Sequence, residues 1–274
     1  MTTKRTKRGK AKVNKPVKRA KAAPPNQAEK VLSDKQQAFV RDCAVFFLIL
    51  FLLTAGTVLG TWETQQPEQA NDAKQSIKNL QKLALAMHSY HDDLGTFPPA
   101  ALLDKDKKPL LSWRVLLLQN LGERDLFKQF KLDEPWDSAH NKKLLSRMPK
   151  VYAPVGVKIK ETDVTFYQVF TGPGTAFEGP RGLSVRDFTD GTSNTLLIVE
   201  AGEPVPWTKP ADLFHDAKKP LPKLGGQFKD RIHFALADGS VMVGRRDFRE
   251  KTMRAFIGRN DGEPINLEDI LLQK

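Results

Sequence analysis

The sequence predicts an α+β fold reached through a membrane span: an N-terminal transmembrane helix, then an amphipathic helix packed on a mostly antiparallel sheet. Three observations predict it. Residues 43–60, CAVFFLILFLLTAGTVLG, carry no charge. Ala70 to Leu94 repeats apolar residues at three- and four-residue steps. From Val151 onward the chain turns to short β-branched and aromatic runs bounded by Gly, Pro or Asp. Helices first and strands later is the order of an α+β domain with a largely antiparallel sheet.

The chain opens on a basic tail. Ten of its twelve net positive charges lie in residues 1–30, where eleven Lys and Arg face the single acid Glu29. Almost no large apolar residue accompanies them, so burial cannot offset the ordering entropy and residues 1–36 are expected to be disordered. The rest is nearly balanced, so no nucleic-acid partner is expected for the folded domain. Anionic lipid or phosphate contacts of the tail are open alternatives.

The apolar run follows, within an expected transmembrane helix over residues 37–62. Eighteen helical residues span about 27 Å, close to the roughly 30 Å hydrocarbon core of a bilayer. Arg41 and Asp42 stop it on one side, Trp62 and Glu63 on the other. A signal peptide is shorter and N-terminal, whereas this run begins at Cys43. Basic flanks stay cytoplasmic, which places everything after Trp62 on the exoplasmic side of the cell membrane. Cys43 is the only cysteine, which leaves the region beyond the span without disulfides or thiol chemistry.

Residues 63–69, with Pro67, read as a linker, and residues 70–274 as the exoplasmic domain. In its first helix Ala73, Ile77, Leu80, Ala84, Met87, His91 and Leu94 form the apolar stripe. Gly95 is its stop, and Pro98 and Pro99 forbid continuation. Short helices are expected over Trp113–Leu121, Glu123–Phe130 and His140–Arg147, the last capped by Ser138. Strands are expected at 151–155, 164–170, 195–200, 232–237 and 241–243, the last two joined by an Asp238-Gly239 turn. Lys251–Ile257 and Leu267–Leu271 close the domain as short helices.

Several stretches together carry a resemblance: LALAMHSYHDDLGTFPPA (83–100), LSWRVLLLQNL (111–121), LDEPWDSAHNKKLL (132–145), FTDGTSNTLLIVEA (188–201), VPWTKP (205–210) and HFALADGSV (233–241). Over roughly residues 70–260 the chain resembles a bacterial domain-of-unknown-function family of pseudopilin-like envelope proteins, of general-secretion-pathway type, that end in a His…Asp-Gly signature. The matching signature positions are His88, His91, Asp190, Gly191, Asn194, His233, Asp238 and Gly239. The resemblance implies an anchored envelope domain with envelope or secretion-like proteins as partners. The chain departs from the pilin pattern in lacking the prepilin cleavage motif and the early helix glutamate. Pro67 and a four-residue gap between His233 and Asp238 are further departures.

Candidate sites compete with structural roles. His88 and His91 share a helix face beside Asp92 and Asp93 and could hold a metal, but no distant third ligand presents itself, and packing or capping is the simpler role. Asp187, Asp190 and Asn194 could form an oxygen-rich loop for a structural calcium, a loop for which secretion pseudopilins are known. The simpler role is a glycine-centred turn whose side chains bond the local backbone. TGPGTAFEG (171–179) lacks a phosphate-loop context and reads as a loop. Glu200 and Glu203 lack a placed partner. Trp136 and Trp207, both beside prolines, and Phe177 could supply loop contacts to a partner or glycan, or fold back as lids on the core. No GxSxG and no HExxH occurs, so no catalytic residue is assigned and an enzyme is not expected. The expected function is structural or interactive, in a secretion-like or envelope assembly. An anchored solute- or glycan-binding module is the alternative. A hydrolase using His233 and Asp238 is the third, and it requires both side chains to meet on one face of the hairpin.

Overall fold

The computed structural model describes Arg41, Val45, Phe46, Phe47 and residues 69–272. Contacts divide the chain into two units, Met1–Leu59 and Gly60–Lys274. In the first, the described residues are helical and exposed, and the rings of Phe46 and Phe47 meet edge to face. The basic tail, most of the expected span and the linker to residue 68 lie outside the described residues. Among those described, no helix is long and apolar enough to cross a membrane.

The second unit is mixed α/β with antiparallel sheets. It begins with helix α1 (69–94). Ala73, Leu80, Leu83, Ala84 and Met87 are buried along it, and the helix stops as its sequence dictates. Gly95 takes φ +78°, its N–H bonds His91 O, and the prolines follow. Leu94 is exposed rather than part of the stripe, while the polar Ser76 and Asn79 are buried in it.

A hairpin follows, strands β1 (Ala101–Leu103) and β2 (Pro109–Ser112). Its tip is an Asx turn in which the Asp104 carboxylate accepts from the amides of Asp106 and Lys108, and Lys107 sits at φ +63°. The expected helices shrink to α2 (Trp113–Leu116) and α3 (Arg124–Phe127). Asn141–Arg147 is a 3-10 helix whose first amide bonds Ser138 Oγ. The strand expected at 151–155 is a correction. Pro149 and Pro154 bracket that segment, and Lys150–Tyr152 forms a 3-10 turn that drives Tyr152 into the core.

The main sheet has the order β3-β5-β7-β8, all antiparallel: β3 (Val164–Gln168), β5 (Leu196–Pro206), β7 (Arg231–Leu236) and β8 (Val241–Arg245). Two short strands, β4 (Phe170–Thr171) and β6 (Leu213–Phe214), pair in parallel beside it. Asp238-Gly239 turns the β7–β8 hairpin, with Gly239 at φ +87°. Alternation along β7 sorts the core into two layers. Ala235 and Ala237 join the layer that contains Leu83, Ala84 and Met87 of α1. Ile232, Phe234 and Leu236 join the layer that contains Met253, Phe256 and Ile257 of helix α4 (Glu250–Ile257). Helix, sheet and helix form three layers, and odd-numbered β7 residues face α1.

Candidate functional site

His233 lies on that α1-facing side of β7, fully buried, and a chain of polar side chains runs from it to α1. Glu200 on β5 accepts from the His233 backbone amide at Oε2 (2.9 Å) and stands 3.1 Å from His233 Nδ1 at Oε1. The Ser76 hydroxyl also donates to Oε1. Ser76 Oγ lies 2.9 Å from the Tyr167 hydroxyl of β3, to which Asn79 Nδ2 donates at 3.3 Å. Gln75 Nε2 in turn donates to Asn79 Oδ1. The imidazole turns Nδ1 to the carboxylate and Nε2 away from it. Nε2 has no partner among the described residues, and the Phe228 ring closes on the imidazole at 4.7 Å. Burial pushes the Tyr167 phenol above its ordinary range. The charge of Glu200 adds to this, and bonds from Ser76 and Asn79 oppose it.

This arrangement is a clamp. A buried carboxylate is tolerable when donors surround it, and Glu200 has three. It is not wired for acyl transfer. A serine nucleophile needs the imidazole Nε2 as its base, whereas Ser76 bonds the carboxylate. Asp238 does not meet His233: its carboxylate accepts from the amide and hydroxyl of Ser240 inside the turn.

A second junction closes the other end of α1. Phe97 stands between the two helix histidines, its ring centroid 5.4 Å from that of His88 and 5.1 Å from that of His91, and it meets Phe188 at 5.6 Å. His91 Nε2 accepts from the Val185 amide at 3.4 Å. Gly239 passes so near His88 that a Cβ there would lie 3.4 Å from Nε2. The DGTSN turn adjoins the hairpin turn through Asp238 N to Thr192 O. Signature positions from three separate stretches therefore converge here, in packing roles.

The residues expected to form a calcium loop have hydrogen-bond partners of their own. The Asp187 carboxylate accepts from Ser184 N, that of Asp190 takes the amides of Asp261 and Gly262, and Asn194 Nδ2 donates to Asp190 O. The three side chains bond separate backbone partners. Among the described residues no group of three or more His, Cys, Asp or Glu is placed to hold a metal.

The aromatic surface is corrected in two of its three members. Trp207 is fully buried, its indole N–H donating to Leu145 O and its ring stacked on Tyr152 at 5.8 Å. Phe177 is a core residue too. Trp136 alone is half-buried, with Lys209 Nζ 5.5 Å from its ring. A flanking proline had suggested exposure, but a large ring beside a rigid turn also makes a good lid.

Sequence reasoning missed the most buried charge. Arg114 on α2 is fully buried. Its Nη2 donates to Asp212 Oδ1 at 2.7 Å, and its Nε and Nη2 donate to Tyr167 O. Asp212 Oδ1 also takes the amide of Val169 and the indole N–H of Trp113. The signal was an arginine inside the apolar run LSWRVLLL, which demands a buried partner.

Residues 69–155 match the model of a family described as a protein of unknown function (DUF1559). That segment is thus similar to a bacterial family of unknown function. It holds the α1 side of both junctions, Ser76, Asn79, His88 and His91, while Glu200, His233 and Gly239 lie beyond it. Comparison with curated proteins and with solved structures gave no match.

Proposed function

We propose that the chain is a single-pass membrane-anchored envelope protein, with a cytoplasmic basic tail and an exoplasmic pseudopilin-like domain, serving a structural or interaction role in a secretion-like or envelope assembly. The anchor rests on the uncharged run 43–60 and the charge before it. The observation that carries the role is the fate of the chemistry-bearing side chains. Ser76, Tyr167, Glu200 and His233 are all buried in bonds that fix α1 to the sheet. A domain so built holds one shape and offers its outer surface. Neither alternative gains a specific observation: two of the three aromatics meant for a ligand are in the core, and His233 is held by Glu200 rather than Asp238.

The test is protease accessibility of the full chain in sealed vesicles of each orientation, with the mass and N-terminal sequence of the membrane-bound protein. The proposal expects an intact tail cut only from the cytoplasmic side and a domain cut only from the other. A domain cleaved from the cytoplasmic side, or a chain released by alkaline carbonate, would sink it.

A further inference from the structure

The outward face of α1 is not a neutral solvent face. At 3.6 residues per turn, Lys74, Lys78, Gln81, Leu85 and Asp92 fall within a stripe about 60° wide. All five are exposed, Leu85 at 70%. Lys74, Lys78 and Lys82 stand four residues apart in succession, and like charges at that spacing oppose the helix. None of the three has an acidic partner among the described residues. The stripe changes sign along its length: lysines come first, Leu85 in the middle, and Asp92 at the end, its side chain 82% exposed and 3.9 Å from His91. Asn120 holds Ser89 and Asp93 to one side of it, leaving Asp92 outermost.

We propose that this face is a self-association surface on which two copies of the chain pair their α1 helices antiparallel, about a twofold axis at Leu85. The register follows from the positions. Lys78 and Asp92 each lie seven residues from Leu85, about 10 Å along the axis. Reversing one helix therefore sets Lys78 against the partner's Asp92 and Asp92 against the partner's Lys78. Leu85 meets its own copy at the axis. This is the reciprocity of an isologous interface, with the helix axes 8–10 Å apart as Leu85 closes the gap. One helix pair buries less than the roughly 1,200 Å² of a stable complex, so the dimer is weak and concentration-dependent. The inference uses only the described helix and stands independently of the membrane proposal.

The test traps the register covalently in the full chain, using a Cys43→Ser background that removes its single cysteine. Under mild oxidation Leu85→Cys forms a disulfide-linked dimer. Lys78→Cys and Asp92→Cys chains each remain monomeric alone and cross-link when mixed. Adding Asp92→Lys to the Leu85→Cys chain slows cross-linking about fivefold at low salt, and the swap Lys78→Asp with Asp92→Lys restores it. Circular dichroism confirms that these surface variants stay folded. Two results would overturn the proposal. One is a mixed Lys78→Cys and Asp92→Cys sample that links no faster than either chain alone. The other is Leu85→Cys cross-linking indifferent to Asp92→Lys, which would assign the lysines to an acidic partner of another kind.

Discussion

Glu200 holds His233 twice, by the backbone amide at 2.9 Å and by Nδ1 at 3.1 Å, and through Ser76 it ties both to α1. Replacing Glu200 by Gln turns one acceptor into a donor facing donors, so a cost of about 1–3 kcal/mol is expected. Glu200→Ala leaves the whole polar cluster unanswered and should cost at least as much. Urea unfolding followed by tryptophan fluorescence measures both. A Glu200→Gln variant as stable as the parent would show that the clamp contributes nothing net.

The Arg114–Asp212 pair yields a second expectation. Removing one partner strands a charge in the core, so Asp212→Ala should destabilise by about 3–5 kcal/mol. The paired change Arg114→Met with Asp212→Leu should cost much less than the sum of the single changes, because neither charge remains. A double-mutant cycle reads the coupling directly, and additive single effects would refute it.

Lys107 occupies the left-handed region at φ +63° at the tip of the first hairpin. An ordinary side chain costs about 1–2 kcal/mol there, and asparagine tolerates the conformation better. Lys107→Asn should therefore raise the thermal midpoint. Because the residue is exposed, no lost packing offsets the gain.

His215 titrates below its usual value, first because burial disfavours the imidazolium and then because Arg254 repels it. The unfolded chain thus binds the proton more readily than the folded one. Stability is fully present above the ordinary histidine value near 6.5 and falls as pH drops from there toward the depressed folded value. His215→Asn should flatten that part of the stability–pH curve, and an unchanged slope would assign it to other groups.

What the sequence made legible follows from the range of each signal. α1 was readable because its period persists over six turns and ends in Gly95, Pro98 and Pro99. The β7–β8 hairpin was readable from Asp238-Gly239. The β1–β2 hairpin was not: three- and four-residue strands around a lysine-rich tip have no period to detect. Lys150–Tyr152 misled through its Val and Tyr, which favour strands until flanking prolines forbid one. In the site, His233 stood out, but its partner did not. Asp238 is near in sequence and Glu200 is near in space, and only strand pairing decides between them.

The Ser76–Glu200 bond joins residues 124 positions apart. At typical synthesis rates of 5–20 residues per second, roughly 6–25 s separate the appearance of one from the other. Until then α1 has no sheet to lie on, and its apolar stripe stays in water. The clamp therefore closes late: α1 stays undocked until the chain through β5 and β7 has been made.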